Sequence, residues 1–365
     1  MAAQEEDRNL AVAVNDDLGY PVSVGDGLDA EIAGFVRTRG GRTIVLSDAH
    51  APVARIAQRL ANANNAALVR VPLGEPRKRL STVECVLDTL LAHGADRDTL
   101  VLGVGGGVAS DCFGFAAAAY MRGVAYAHVA TSLVAMVDAA IGGKTGVNLA
   151  SGKNLAGIFR DPVAVFCDVA ALQTLPFRSL REGLAEIVKA AIIEGGDLFE
   201  ALEELTPHPF IMWPWTPLVT AAVKVKTAIV ADDREEAGMR ESLNLGHTFA
   251  HAIERASNYR ITHGAAVALG LRAAGLLALR SGRFNERDHF RVLALLALLQ
   301  MPLRTSLTPD SIFAAMQADK KRRDGRLRFV LPRAIGDVEY GVSCSGATVR
   351  RVLAQLARPP GAVRR

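Results

Sequence analysis

The sequence predicts two domains, an α/β domain over residues 1–174 and an all-α domain over residues 175–365. Three observations carry that expectation. Short runs rich in β-branched residues, Thr43–Ser47, Ala67–Val71 and Thr99–Val104, alternate with helical patterns over Val53–Ala63 and Thr82–His93. Such alternation points to βαβ units and a parallel sheet. The third run passes directly into Gly105-Gly106-Gly107, a turn that lets backbone approach a phosphate at the start of a helix. From Leu175 onward the pattern changes. Arg181–Ile193, Thr216–Ala231, Leu243–Ser257, Ala265–Arg280 and Glu286–Leu299 all follow helical periodicity, and the proline-rich stretch Thr206–Pro217 separates two of them. The boundary is expected near Thr174-Leu175-Pro176.

Composition narrows the function. Half the 365 residues are hydrophobic and 22% are charged, a globular balance that excludes global disorder. Cys85, Cys112, Cys167 and Cys344 show no CxxC spacing, which argues against a disulfide scaffold or a cysteine-rich zinc module and fits a cytoplasmic protein. The first ten residues are polar and acidic, so no signal peptide is expected. The most apolar stretch, Ala265–Leu279, is interrupted by Arg272, and no membrane partner is expected. The net charge is +4 and the densest basic run begins at Lys320-Lys321-Arg322-Arg323. With only 5% aromatic residues and none interleaved with that run, an anionic small substrate fits better than nucleic acid.

Five constellations could carry chemistry. In Gly103-Val-Gly105-Gly106-Gly107-Val108-Ala-Ser-Asp111, adjacent glycines could admit a pyrophosphate, although a tight βα turn would use them equally well. In Asp138-Ala-Ala-Ile-Gly-Gly143-Lys144-Thr145, Asp138 stands where a Walker A loop needs glycine, so a P-loop is excluded. Lys144 still offers charge to a phosphate, and Asp138 an acceptor to a hydroxyl. Gly152-Lys153-Asn154 adds a second lysine beside an amide. Glu186 and Lys189 lie three apart on one helical face, where a plain ion pair is also expected. Last comes Arg240-x-x-x-Asn244-x-x-His247-x-x-x-His251, followed by His263-Gly264. Two histidines and a carboxylate make a catalytic zinc set, but spacing leaves open which two histidines and which acid.

Taken in order, GGGVxxD (Gly105–Asp111), YMRG (Tyr120–Gly123), VDAAIGGKTGVN (Val137–Asn148), GKN (Gly152–Asn154), LAEIVK (Leu184–Lys189), GMRxxLNLGHTxxHAIE (Gly238–Glu254) and His263-Gly264 resemble the motif series of 3-dehydroquinate synthase, of the sugar phosphate cyclase superfamily. The resemblance runs from about Val45 to Ile335. It implies a Rossmann-like N-terminal domain and a helical C-terminal domain, a fold shared with glycerol dehydrogenase, with the active site in the cleft between them. The implied cofactors are NAD and a divalent metal, zinc or else cobalt. The metal ligands would be Glu186, His247 and His263, leaving His251 on the substrate side. NAD contacts would fall on Asp48, Glu75, Lys78, Gly106, Gly107, Val108, Asp111, Thr131, Ser132, Thr174 and Leu175, with Lys144 and Lys153 also touching cofactor. Substrate and catalytic positions would be Arg122, Asp138, Lys144, Lys153, Asn154, Lys189, Lys226, Arg240, Asn244, His251 and Lys320, the last preferred over Lys321. A homodimer is implied, with Arg122 acting across its interface.

The implied substrate, 3-deoxy-D-arabino-heptulosonate 7-phosphate, carries a carboxylate and a phosphate, which suits a site rich in Lys and Arg. The implied reaction oxidises a ring hydroxyl polarised by the metal, eliminates phosphate, returns the hydride and closes a carbocycle by aldol addition. Relatives that use substrates without the carboxylate tend to lack Arg240 and Asn244. An amino-sugar counterpart in secondary metabolism is the alternative that keeps them. Three departures stand out: Ala130 in place of proline, Ala250 in place of glycine, and Ala265 in place of glutamate after His263-Gly264.

Overall fold

The computed structural model describes residues 11–14, 18–320 and 327–358, with backbone alone for 319 and 320. The chain divides into two compact units. One comprises the residues up to Leu180 together with Trp215–Ala231; the other comprises Arg181–Pro214 and the residues from Asp232 onward. The division differs from a single cut at 174/175, because one helix of the later sequence packs with the first unit.

The first unit is built on β1 (Val12–Val14), β2 (Val22–Gly25), α1 (Asp29–Arg39), β3 (Thr43–Asp48), α2 (Ala51–Ala63), β4 (Ala67–Val71), α3 (Leu80–Ala92), β5 (Leu100–Gly105), α4 (Gly107–Ala119), β6 (Ala125–Ala130), β7 (Lys144–Leu149), β8 (Gly152–Phe159) and β9 (Ala164–Asp168). Among the described residues seven strands form one sheet in the order β1-β2-β9-β6-β5-β3-β4. Only the β1–β2 pair is antiparallel. The three strand runs read from the sequence are β3, β4 and β5. β6 (AYAHVA) escaped that reading because alanine gives no β-branched signal, yet five of its six residues are buried. A strand covered on both faces needs no alternation.

Ile44, Leu46, Val101, Phe113, Tyr126 and Val147 anchor the core of this unit. Each fully buried aliphatic or aromatic side chain there contributes roughly 1.5–3 kcal/mol over its exposed state. Because β2, β9, β6, β5 and β3 run parallel, Gly25, Asp168, Ala130, Gly105 and Asp48 all end on one edge of the sheet. Ligands of open α/β sheets bind beyond that edge. β7 and β8 form a separate antiparallel hairpin, so the two lysine motifs expected in loops occupy strands.

Most of α5 (Phe177–Glu194) belongs to the second unit, with α6 (Gly196–Leu205); α7 (Trp215–Asp232) returns to the first. The second unit continues with α8 (His247–Ala256), α9 (His263–Arg280), α10 (Glu286–Leu298), α11 (Pro309–Lys320) and α12 (Gly346–Leu356). Among its described residues it is helical except for one hairpin, β10 (Phe329–Ala334) with β11 (Asp337–Val342), which the sequence reading did not anticipate. Arg272, the charge within the apolar α9, is buried and donates to the carbonyls of Leu303, Gln355 and Arg358, the last two at 3.1 and 3.0 Å. It thereby satisfies acceptors at the C-terminal end of α12, where a cation also meets the negative helix pole. No described helix is long and apolar enough to cross a membrane.

Candidate active site

In the second unit, two helix faces carry the polar groups. On α5, Glu182, Glu186 and Lys189 stand at i, i+4 and i+7, one stripe of the helix. On α8, His247, His251 and Glu254 repeat that spacing. His263 opens α9, as His247 opens α8 after the left-handed Gly246 (φ 78). Glu186, His247 and His263 converge, with one ligand atom from each lying within 4.8 Å of the others. His263 Nε2 is 2.9 Å from Glu186 Oε1, and His247 Nε2 is 3.6 Å from the same oxygen. His251 is exposed and meets His247 edge to face, with ring centroids 5.4 Å apart. Of the histidines left open by spacing, the fold brings His247 and His263 together with Glu186.

The electrostatics suit a cation. Burial alone would raise the Glu186 carboxyl, but Lys189 and the two imidazoles hold it well below the ordinary range. Lys189 Nζ stands 2.6 Å from Glu186 Oε2. Burial would lower His263, yet hydrogen bonding and charge from Glu186 and Glu254 push it up to about 10. Carboxylates that favour a positive charge on this imidazole also suit a divalent ion, which competes with that proton. Three protein donors, two imidazoles and one carboxylate, also leave an open coordination position, as catalytic zinc sites do. The donor set fits the implied metal.

The start of α9 is fastened by Glu182, which accepts from the Gly264 amide at 2.6 Å and from the Thr262 hydroxyl. Position 264 has to be glycine, because a Cβ there would stand 2.9 Å from the Glu182 carbonyl carbon and closer still to its neighbours. Arg240 is buried at 2% exposure and donates to the Arg234 carbonyl at 2.5 Å. Asn244 donates to Glu236 at 2.7 Å. Ala250 is fully buried, so it is a packing position, whereas nothing in the structure explains Ala265.

The first unit holds the other candidates. Gly106 bridges β5 to α4, and a Cβ on it would lie 2.9 Å from Ser132 Oγ. Gly107 and Val108 open α4, where amides lack intrahelical acceptors. Thr131 N–H donates to the Gly105 carbonyl at 2.9 Å, and Asp48 ends the strand next to β5. This edge fits a dinucleotide pyrophosphate. Lys78 is buried at 5% exposure, pairs with Asp111 and donates to Asn154 Oδ1 at 2.6 Å. Burial pushes the Asp111 carboxyl up to about 6 against the pull of Lys78. Glu75 lies 3.4 Å from Lys153 and accepts from Asn148 at 2.8 Å. Nucleotide-side and substrate-side candidates are thus joined through Lys78 and Glu75.

Asp138 sits in a π-helical turn, Ala135–Ala139, rather than in a glycine loop. Lys226 of α7 pairs with its carboxylate and donates to its carbonyl at 2.7 Å. Lys144 is exposed at the start of β7, and Thr174 is exposed ahead of the partly buried Leu175. Arg122 is exposed at φ 68, following Met121 at φ 48. Lys320 closes α11, but its side chain lies outside the described residues, as does Lys321. Glu182, Glu236 and Glu254 were not singled out from the sequence. The i, i+4, i+7 stripes on α5 and α8 were the signal that could have found the first and last of them.

A family model described as 3-dehydroquinate synthase N-terminal matches residues 68–182, and one described as 3-dehydroquinate synthase C-terminal matches residues 183–322. The chain belongs to the 3-dehydroquinate synthase family. The 3-dehydroquinate synthase of Gloeobacter violaceus is 43% identical over 80% of this chain and 81% of its own length. That of Desulforamulus reducens is 38% identical over 93% of this chain and 98% of its own length. Among solved structures, 2-epi-5-epi-valiolone synthase from Streptomyces hygroscopicus, with NAD+ and Zn2+ bound, aligns at a TM-score of 0.84 and 31% identity. It covers 95% of this chain and 99% of its own. A 2-deoxy-scyllo-inosose synthase complexed with carbaglucose-6-phosphate, NAD+ and Co2+ aligns at 0.81 and 27% identity, covering 92% and 96%. With its family, this chain is a phosphate-eliminating enzyme, a carbon–oxygen lyase.

Proposed function

We propose that this chain converts 3-deoxy-D-arabino-heptulosonate 7-phosphate to 3-dehydroquinate and phosphate, with NAD and one divalent metal that are not consumed. The convergence of Glu186, His247 and His263 carries this reading, in a chain of that family. When bound, NAD supplies a reversible hydride acceptor and the metal, zinc or cobalt in its place, supplies Lewis-acid polarisation of a substrate hydroxyl.

The chain's own residues do the rest. Glu186, His247 and His263 hold the metal. Gly106, Gly107 and Val108 offer amides to the NAD pyrophosphate, and Asp48, Glu75, Lys78, Asp111, Thr131, Ser132, Thr174 and Leu175 hold the remainder of the nucleotide. Asp138, paired with Lys226, accepts the hydrogen of a substrate hydroxyl. Lys189, fixed against Glu186, steadies a proton on the oxygen being oxidised. Lys144, Lys153 and Asn154 serve the phosphate and His251 the substrate. Arg240 and Asn244 serve the carboxylate, where a planar guanidinium offers two parallel donors. Lys320 adds charge for the substrate.

The chain works in the cytoplasm as a homodimer, with no nucleic-acid or membrane partner, and Arg122 serves the partner's site. The exposure of Arg122 on a two-residue left-handed step supports that role, since such backbone costs energy and clusters at functional places.

The test is phosphate release from the sugar phosphate with NAD and zinc, followed with a coupled phosphate assay, while absorbance reports NADH. The expected result is phosphate and 3-dehydroquinate in equal amounts with no net NADH. Turnover of the amino analogue or of sedoheptulose 7-phosphate, with none of the acidic substrate, would overturn the substrate assignment.

A further inference from the structure

The two imidazoles of the metal group are anchored differently. His247 presents Nε2 toward Glu186, and its Nδ1 lies 3.2 Å from the Leu245 carbonyl, an acceptor that fixes a proton on Nδ1. His263 also presents Nε2, at 2.9 Å from Glu186 Oε1, but the group behind its Nδ1 is a carboxylate oxygen of Glu254, 3.6 Å away. Glu254 is 3% exposed, on the buried stripe of α8 that also carries His247. A carboxylate taken out of water at that depth is costly unless a cationic or donor group faces it. His263 is such a group, and its ring stands between two carboxylates, one per nitrogen.

We propose that Glu254 is a positioning residue for the metal: it holds the Nδ1 side of His263, so that Nε2 is directed as ligand and made a stronger donor. This rests on the metal reading above and extends it to a residue that does not itself join the ligand set. Carboxylates behind a ligating imidazole fix its tautomer and orientation and raise its basicity, and losing one costs about 10–100-fold in metal affinity. The arrangement also ties α8 to α9 through the site, since α8 supplies His247 as a ligand and Glu254 as support for the ligand on α9.

The experiment uses the full chain stripped of metal with a chelator. Zn2+ affinity is measured by competition with a chromophoric chelator, and Co2+ loading by visible absorption. Glu254→Gln keeps the shape and removes the charge. The expected result is Zn2+ affinity about 10–100-fold weaker and a shifted Co2+ absorption band, while the metal-free protein melts at the wild-type temperature. Glu254→Asp should recover part of the affinity. Wild-type affinity and an unchanged Co2+ spectrum in Glu254→Gln would overturn the proposal, as would a melting temperature lowered equally with and without metal. Failure of the wild-type chain to take up one equivalent of metal would overturn the metal reading itself, and is distinguishable because it precedes any substitution.

Discussion

Each unit carries a lysine–carboxylate pair among the candidate site residues, and the two are built in opposite ways. Lys189 and Glu186 are three residues apart on one helix, both almost fully buried, at 2.6 Å. Lys226 and Asp138 are 88 residues apart, on α7 and in a π-helical turn, with Lys226 buried and Asp138 partly open to solvent. The first pair is a product of helical repeat and needs no long-range contact to meet. The second exists only because α7 returns to the first unit. The contrast shows that a short-range spacing can state a pair, while a tertiary pair leaves two ordinary-looking residues.

The largest way to break this comparison is at the local end. Glu186→Ala should lose stoichiometric metal and reduce turnover by about 10³-fold or more, with metal content measured by atomic emission beside the phosphate assay. Retention of both would mean the helical pair is only structural. At the tertiary end, Lys226→Met leaves Asp138 without its ammonium. Turnover should fall by about 10²-fold while metal content stays at one equivalent. A parallel loss of metal would show that the two pairs are not separable.

The smallest effect sharpens the comparison through pH. Away from the candidate site each unit buries a histidine, His128 in the first and His289 in the second, both pushed down to about 4 by burial, with Arg272 adding to the shift at His289. A base with a depressed folded pKa is protonated first in the unfolded chain. Its stability contribution is therefore complete above about pH 6.5 and is lost as pH falls toward 4. Each should withdraw roughly 2–3 kcal/mol across that window. In urea titrations between pH 7.5 and 4, His128→Leu should flatten the acid limb of the first unit. An unchanged slope would remove His128 as a cause.

The same contrast explains what the sequence could tell. β3, β4, β5 and the helices from α7 to α10 were legible because apolar period and β-branched runs state them locally. β6 and β9 were not, since alanine and a continuous buried run give no alternation. The lysine motifs at 144 and 153 looked like glycine loops because the hairpin that carries them is written with glycines. Glu186, His247 and His263 came together as a set from the motif series; spacing alone left open which two histidines belong to it, and the fold leaves His251 at the surface. Glu254 stood inside a quoted motif without a role, because its partner belongs to the next helix.

Both imidazoles of the candidate metal group are the first residues of their helices, and that position has an electrical consequence. A helix start carries about half a positive charge, worth about 0.3–1 kcal/mol to a nearby anion. Two such poles at one metal group repel a cation slightly, and Glu182, Glu186 and Glu254 more than offset them. The same carboxylates face any oxygen brought to the site, so the two poles by themselves do not favour its ionised form. The backbone direction of α8 and α9 thereby tempers, without reversing, the negative field of the three carboxylates.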